Sequence, residues 1–233
     1  MRSIASRSLA LGSVLTALLV GCGPQAQATG PKLLPDPSTK PRIAPGDKTL
    51  IFGGGCFWCV EAVFEMFKGV KSAESGYAGG DEPNPTYDLL MSKGTRHAEV
   101  VKVTYDPNVI SAREILNIFL TTHDPTTLNR QGNDVGTQYR SVIFYRDDAE
   151  KKLAQAAIDE VTKAKIWSQP IVTTLEPLKN YGRAEEYHQD YFAKFERASD
   201  DERSRMNGGY CKFIIEPKVR KYREKFAGKL RKN

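Results

Sequence analysis

Residues 50–61 read Leu-Ile-Phe-Gly-Gly-Gly-Cys-Phe-Trp-Cys-Val-Glu. The apolar run at 50–52 is typical of a buried strand, and a helical pattern of apolar residues begins after Cys56. A thiol at the start of a helix lies near unpaired backbone N–H groups and the positive end of the helix dipole, which predicts a thiolate at Cys56. Cys59 lies one helical turn further on, within reach of a disulfide. The stretch therefore predicts sulfur chemistry where a strand meets a helix.

Strands and helices alternate in the rest of the chain. Periodicity predicts strands over 49–53, 99–105, 138–145 and 171–175, and helices over 57–67, 111–122 and 148–165. A late helix is predicted to share one face among Ala184, Tyr187, His188, Tyr191 and Phe195. Residues 71–96 and 123–137 are predicted as long structured loops, which are usually functional. Alternation alone favours a parallel doubly wound sheet, although periodicity does not determine strand direction.

The N-terminus has the pattern of an export signal. Arg2 and Arg7 precede an apolar run at 9–20 that is too short for a comfortable transmembrane helix. The run ends Leu-Val-Gly-Cys at 19–22, which resembles the lipobox of bacterial lipoproteins. That resemblance implies a signal peptide over 1–21 and a lipid-bearing Cys22 that anchors the protein to a membrane. The alternative is an ordinary secretory signal with an incidental cysteine.

A spacer is predicted to follow the anchor over 22–47. Residues 23–48 hold six of the thirteen prolines, so we expect this segment to be extended and mobile. The folded domain is then predicted to begin near Lys48 and to occupy 48–233.

The positive charge of the chain is local. Residues 218–233 carry eight basic residues and one acid, whereas 23–217 carry 24 basic and 27 acidic residues. Such a basic tail could bind nucleic acid or anionic lipid, but it is more often a solvated terminal helix. For an exported protein we predict no nucleic-acid partner, and we expect a monomer.

The cysteine count indicates a working thiol. Apart from Cys22, the chain has three cysteines: Cys56, Cys59 and Cys211. An odd number in an exported protein argues against a purely structural disulfide framework. We expect Cys211 to lie near a mobile C-terminal end.

Three interpretations of the Cys-x-x-Cys pair compete. A structural zinc site would need a second such pair or nearby histidines, and the histidines are scattered singly at His97, His123 and His188. We therefore predict no metal. A thioredoxin-like disulfide exchanger explains the cysteines alone. An oxidoreductase for a small sulfur substrate would also explain nearby polar groups.

One candidate polar group is Glu99. In the strand over 99–105 its carboxyl shares a face with Val101, Val103 and Tyr105, and desolvation there would keep it protonated as a general acid requires. The alternative is a solvated glutamate at a strand end. Tyr87 and Tyr139 are phenols beside loops, and each could equally be a packing residue.

Eight motifs in order carry a family resemblance. They are Gly-Gly-Cys-Phe-Trp-Cys (54–59), Ser-Gly-Tyr-Ala-Gly-Gly (75–80), Asn-Pro-Thr-Tyr (84–87), His-Ala-Glu-Val (97–100), Tyr-Asp-Pro (105–107), His-Asp-Pro-Thr (123–126), a longer match at 129–141 and Glu-Tyr-His-Gln (186–189). With these motifs, residues 48–225 resemble A-type peptide methionine sulfoxide reductases.

The resemblance implies an α+β fold, namely a two-layer α/β sandwich with a ferredoxin-like βαββαβ core and a mixed sheet. We adopt this fold over the doubly wound alternative. The implied activity is reduction of methionine S-sulfoxide, free or protein-bound, to methionine. An external thioredoxin-like dithiol would supply the electrons, with no metal or bound organic cofactor.

Roles for individual residues follow from the same resemblance. Cys56 would attack the sulfoxide sulfur and become a sulfenic acid. Glu99, Tyr87 and Tyr139 would hydrogen-bond the sulfoxide oxygen, and Glu99 would donate the proton that makes it a leaving group.

The remaining roles concern the substrate pocket and the disulfide. Phe57 and Trp58 would form an apolar pocket for the ε-methyl group, and Asp134 would help to hold the substrate or a water molecule. Cys59 would be the first resolving cysteine, because its proximity gives it the higher effective concentration. Cys211 would either relay the disulfide to the reductant or be a bystander.

Several positions depart from the family pattern. Many relatives have no cysteine at the position of Cys59. Met91 stands where relatives often have a cysteine, and Arg96 replaces a common glycine, so the loop before Glu99 could be built differently. His188 is interpreted as a structural helix residue.

The expected function is repair of oxidised exported proteins by a lipid-anchored enzyme of the cell envelope, on the periplasmic face or the outer membrane in a Gram-negative cell. The non-enzyme alternative is a lipid-anchored binding module whose cysteines form a permanent disulfide.

Overall fold

The computed structural model describes residues 33–92 and 94–231. The predicted signal peptide, Cys22 and the first part of the spacer lie outside the described residues. No helix in the described part of the chain is long and apolar enough to span a membrane.

A six-stranded mixed sheet forms the centre of the protein. Its strands, in the spatial order β7-β6-β1-β3-β2-β8, are β7 (Thr174–Pro177), β6 (Ser141–Tyr145), β1 (Lys48–Gly54), β3 (Ala98–Tyr105), β2 (Val70–Ala78) and β8 (Gly182–Arg183). Neighbouring strands are antiparallel except for the parallel pair β6 and β7. A separate small hairpin joins β4 (Arg130–Gln131) to β5 (Asp134–Val135).

Eight α-helices accompany the sheet in the described residues: α1 (Phe57–Phe64), α2 (Tyr87–Met91), α3 (Ala112–Thr122), α4 (Asp148–Lys163), α5 (Tyr191–Arg197), α6 (Asp200–Ser204), α7 (Gly208–Tyr210) and α8 (Glu216–Lys225). A π-helical turn over Cys211–Ile215 joins α7 to α8. The order β1-α1-β2-β3-α3-β6 is the predicted ferredoxin-like βαββαβ core. The α+β prediction is confirmed, and the doubly wound alternative is excluded by the antiparallel pairs.

The main hydrophobic core lies between the sheet and the helices. The ring of Phe52 on β1 packs against two other rings. Its centroid lies 5.0 Å from that of Phe64 on α1 and 4.4 Å from that of Phe119 on α3. The opposite face of the sheet is apolar but smaller, and the segment after β7 covers it with Leu178 and Tyr181. Helix α1 is therefore anchored to the sheet through this core.

The predicted loop over 71–96 is wrong in its first part, because β2 runs through residues 70–78. The strand was hidden by its polar residues, which have partners near the edge of the sheet. Glu74 forms ion pairs with Lys102 and Arg183 and accepts a 2.6 Å hydrogen bond from the Tyr181 hydroxyl. Antiparallel pairing with β3 and β8 thus overrides the loop-like composition.

The predicted late helix is also wrong, because it is broken at Asp190. This residue has φ of 52°, a left-handed conformation that separates a short 3₁₀ turn at Glu186–His188 from α5. Tyr187, predicted to face the core, is 59% exposed. The helix over 148–165 is confirmed as α4, whereas α1 ends at Phe64 and β7 starts at Thr174, each three residues from the predicted position.

The last part of the predicted spacer packs against the domain. We call residues 33–47 the N-terminal arm. Leu34 is fully buried, and its backbone N–H donates a 2.7 Å hydrogen bond to Glu196 on α5. The N-terminal arm is therefore packed on the domain, although the domain was predicted to begin near Lys48. A leucine among prolines gives no periodic pattern, so the docking was not visible in the sequence.

The basic tail contains α8, as the terminal-helix interpretation predicted. Val219 and Tyr222 are buried in the core, and Arg220 and Lys221 between them are exposed. One cation of this helix, Lys218, lowers the pKa of Cys59, which is described below.

Candidate active site

Cys56 lies at the start of α1, where the chain leaves β1. The turn requires glycine, because Gly55 has φ of +89° and a Cβ there would lie 2.5 Å from the Gln131 side chain. Gly53 allows β1 to approach β3, since a Cβ there would lie 2.6 Å from the Glu99 carbonyl oxygen. The glycines thus bring Cys56 beside Glu99.

The carboxyl of Glu99 is buried directly beneath the start of α1. Its Oε2 accepts a 2.9 Å hydrogen bond from the Phe57 backbone N–H, and the residue is 2% exposed. Burial raises the pKa of Glu99 to about 8, against the opposing effect of that hydrogen bond, and the Asp134 charge adds to the increase. The predicted strand register is confirmed, and the carboxyl is protonated at neutral pH.

The two cysteines of the opening motif have unequal proton affinities. Burial raises the pKa of Cys56 well above its ordinary value, and its hydrogen bond to Cys59 and the charge of Glu99 act in the same direction. The pKa of Cys59 is lowered to about 7 by the hydrogen bond from Cys56 and, against the effect of burial, by the Lys218 ammonium. Burial thus acts on the pKa of Cys56 against the helix start that predicted a thiolate there, and the pKa of Cys59 moves in the opposite direction.

Tyr87 and Tyr139 both lie near these groups. Burial raises the pKa of each phenol, and the charge of Glu99 contributes to both increases. The Tyr87 backbone N–H donates a 3.0 Å hydrogen bond to Glu185, which attaches the start of α2 to the segment before α5. Two protonated phenols and a protonated carboxyl thus share one site with Cys56.

Aromatic rings form the adjoining wall. The ring of Phe57, 1% exposed, lies 6.1 Å from that of Trp58. Trp58 stacks on Tyr191 at a centroid distance of 3.8 Å and an angle of 8°. Its indole N–H donates a 3.2 Å hydrogen bond to Nδ1 of His188. Burial lowers the pKa of His188 to about 4, so a neutral imidazole orients the indole.

Sequence reasoning missed Tyr210. Its hydroxyl donates a 2.7 Å hydrogen bond to Oδ2 of Asp134 and lies 3.8 Å from the sulfur of Cys59. Its ring meets Trp58 edge-on at 6.1 Å. Tyr210 therefore connects Asp134 to the cysteines and covers the site from the C-terminal side. In the sequence, the only signal for Tyr210 is its position next to Cys211.

Cys211 is not part of a mobile end, contrary to expectation. It is fully buried at the start of the π-helical turn, and it is a free thiol, as are Cys56 and Cys59. Burial raises the pKa of Cys211 to about 12, and the charge of Cys59 adds to the increase. A thiol in this state is a poor nucleophile until the segment rearranges.

Every residue predicted for the site lies in this region of the fold, although the sequence spreads them from 56 to 211. Within the described residues, no group of three or more His, Cys, Asp or Glu side chains is arranged to hold a metal ion. A buried thiol, a proton-donating carboxyl and an aromatic wall on an α+β scaffold define the class: a thiol-dependent oxidoreductase.

Relatives identify the family. The family model described as peptide methionine sulfoxide reductase matches residues 48–230. The chain is 51% identical over 178 residues to peptide methionine sulfoxide reductase MsrA of Trichodesmium erythraeum, covering 76% of this chain and 95% of that protein. It is 47% identical over 174 residues to the protein of the same name from Polynucleobacter asymbioticus, covering 75% and 86%.

Solved structures of methionine sulfoxide reductases are also similar to this chain. The reduced form of Mxr1 from Saccharomyces cerevisiae has a TM-score of 0.62 at 37% identity, covering 68% of this chain and 91% of that one. Methionine sulfoxide reductase A of Corynebacterium diphtheriae has a TM-score of 0.59 at 32% identity, covering 73% and 88%. The chain belongs to the peptide methionine sulfoxide reductase family, as an enzyme of the peptide-methionine (S)-S-oxide reductase class.

Proposed function

We propose that this enzyme repairs methionine S-sulfoxide in oxidised exported proteins, and reduces the free amino acid derivative by the same chemistry. The observation that carries the mechanism is the buried, protonated Glu99, hydrogen-bonded to the backbone N–H that follows Cys56. A proton donor and a thiol thus flank the place where a sulfoxide group would lie.

In the first step, the sulfur of Cys56 attacks the sulfoxide while Glu99 protonates its oxygen. The sulfur–oxygen bond of the substrate breaks, and a sulfur–oxygen bond forms on Cys56. The thiol loses two electrons to the substrate, so methionine and a sulfenic acid are the products. The proton released by Cys56 restores that of Glu99, which leaves no net change in protons.

The arrangement of the pocket supports selection of one epimer. Phe57 and Trp58 offer apolar surface to the ε-methyl group, while Glu99, Tyr87 and Tyr139 offer donors to the oxygen. Exchanging the methyl group and the oxygen would place the oxygen against the rings and leave the donors unpaired.

Cys59 then attacks the sulfenic acid, forming the Cys56–Cys59 disulfide and releasing water. The pKa of Cys59, about 7, supports this role, because a resolving thiol works best with a pKa near the ambient pH. A thioredoxin-like dithiol returns both cysteines to thiols and becomes a disulfide. Electrons pass only between sulfur atoms, so the scheme uses no metal or bound organic cofactor.

The order of the cysteines can be tested by single-turnover reduction of the two sulfoxide epimers. We expect the wild type to reduce the S epimer and to form the Cys56–Cys59 disulfide. Cys59→Ser should still release one methionine per chain but accumulate sulfenic acid, trapped with dimedone and identified by mass spectrometry. Cys211→Ser should form the first disulfide within about twofold of the wild-type rate.

Each alternative result has a meaning. Preference for the R epimer, or loss of the first turnover in Cys59→Ser, would overturn the assigned roles. Reduction of insulin disulfides without sulfoxide turnover would favour a disulfide exchanger. A Cys59–Cys211 disulfide formed after the first one would identify Cys211 as the relay, whereas its absence during reduction by the dithiol would make Cys211 a bystander.

Attachment to the cell envelope is the second part of the proposal. The export signal and the lipobox ending at Cys22 support it. In a bacterial host fed radiolabelled palmitate, we expect the wild type to carry label and to sediment with membranes. Cys22→Ser should lose both properties while retaining activity as a monomer. Equal labelling of both proteins would contradict the anchor.

A further inference from the structure

A cluster of buried charges lies behind α1, on the side away from Glu99. It consists of Glu61 and Glu65 from α1, Asp190 before α5 and Lys40 from the N-terminal arm. We call it the Lys40 cluster. The three acids are 1%, 5% and 9% exposed, respectively. Lys40 lies outside residues 48–230, the segment matched by the family model.

The cluster brings one lysine to three buried acids. Burial raises the pKa of Glu61 to about 8 and that of Glu65 well above its ordinary value. Despite burial, hydrogen bonds from Glu65 and Lys40 lower the pKa of Asp190, which stays ionised. The Lys40 ammonium contacts Asp190 and lies 3.3 Å from Glu65. Lys40 is thus the cation in direct contact with the buried Asp190 carboxylate.

Asp190 connects this cluster to the start of α5. Its left-handed backbone redirects the chain into the helix, and the next residue, Tyr191, donates its backbone N–H to Oε2 of Glu61 at 3.3 Å. Without Lys40, Asp190 would lose the cation that contacts it and keep only the more distant Lys194 charge, which favours rearrangement of a buried carboxylate. The segment that would move is the one that carries Tyr191.

Tyr191 holds two parts of the active site. Its ring is the one that stacks on Trp58. Its hydroxyl accepts a 2.7 Å hydrogen bond from the backbone N–H of Asn207, three residues before Tyr210. A continuous series of contacts therefore runs from Lys40 through Asp190 and Tyr191 to Trp58 and to the segment that covers the site.

We propose that Lys40 is a positioning residue of the enzyme: by fixing Asp190 and Tyr191, it holds Trp58 in the orientation that binds the methyl group of the substrate. The kinetic part rests on the proposed role of Trp58. The N-terminal arm is then a functional part of the domain and not only a spacer.

Fluorescence of Trp58 tests the positioning without any substrate. The chain has two tryptophans, so Trp167→Phe leaves Trp58 as the only one. In that background, Lys40→Met should raise the acrylamide quenching constant at least about twofold, because the indole loses its stacked neighbour. Lys40→Arg, which keeps the charge, should restore the original value. Arg42→Met, an exposed cation of the same arm, is the matched control and should change nothing.

Kinetics with the S epimer test the consequence. Lys40→Met should raise KM roughly fivefold or more with kcat changed less than about twofold, because the pocket is misplaced and the reacting groups are not. A merely structural role would lower the fraction of folded enzyme, and hence apparent kcat, at unchanged KM. Urea unfolding measures that fraction directly.

A second variant covers the case in which Lys40→Met does not fold. Lys40→Gln keeps a polar side chain beside Asp190 but removes the cation, so it should change quenching and KM in the same direction. Unchanged quenching in a folded variant would overturn the inference, whether or not the enzyme reduces sulfoxides. Changed quenching without sulfoxide turnover would instead overturn the proposed function alone.

Discussion

Replacing Cys56 by serine is expected to lower kcat/KM for methionine sulfoxide reduction by at least about 10⁴-fold, because a hydroxyl cannot accept the oxygen in place of a thiol. Serine differs by one atom at a site that is 8% exposed, so the fold should be retained. The measurement is methionine released in a single turnover, with circular dichroism to confirm folding.

The matched control for this substitution is Cys211→Ser, which removes a more deeply buried thiol from the same region. It should release the first methionine at nearly the wild-type rate. If Cys56→Ser kept more than about one hundredth of the activity, the nucleophile would have to be another sulfur, and Cys59 would be the first candidate.

Replacing Glu99 by glutamine is expected to lower kcat/KM by about 10²- to 10⁴-fold, the usual contribution of a general acid. Glutamine keeps the size of the side chain but cannot release a proton to the sulfoxide oxygen. Its amide also cannot change between a protonated and an ionised form, as the carboxyl does. The loss should appear in the chemical step, which single-turnover kinetics separates from reduction of the disulfide.

The pKa of Glu99 also predicts the direction in which the rate changes with pH. Glu99 acts in its protonated form, and its pKa is raised to about 8. The rate of the wild-type chemical step should therefore be lost as the pH rises through about 8, falling tenfold per unit above it. In Glu99→Gln the weak remaining activity should lack that decline.

Glu61→Gln is the control, because Glu61 is the other described glutamate with a pKa raised to about 8, and it lies outside the site. The decline should persist in this variant. If the decline vanished in Glu61→Gln and remained in Glu99→Gln, the titrating group would be the Lys40 cluster and not the acid at the site.

Much of the fold followed from local patterns. Periodicity over 111–122 and over 148–165 marked helices that exist, and the hydroxyl of Ser111 caps the first of them by accepting from the Glu114 backbone N–H at 3.2 Å. Strand β2 did not follow, because its polar residues have partners on β3 and on the segment before β8. Such partners become visible only when distant segments are adjacent.

The break at Asp190 has the same kind of cause. The apolar positions around it fit one continuous helix, and no glycine or proline marks an end. A left-handed aspartate is stabilised there by Lys40, which lies 150 positions earlier in the chain. The docking of the N-terminal arm and the shape of the late helix were therefore missed together.

The sequence by itself determined which groups are available: two cysteines one helical turn apart, and a glutamate on the apolar face of a strand. These are local facts, because spacing and periodicity depend on neighbours in the chain. Only the tertiary structure decided how those groups ionise and what surrounds them. It placed the lower pKa on Cys59 rather than on Cys56 and brought Tyr210 to Asp134. The physical reason is that a pKa is set by burial and by charges such as Lys218, which folding brings from far away in the sequence.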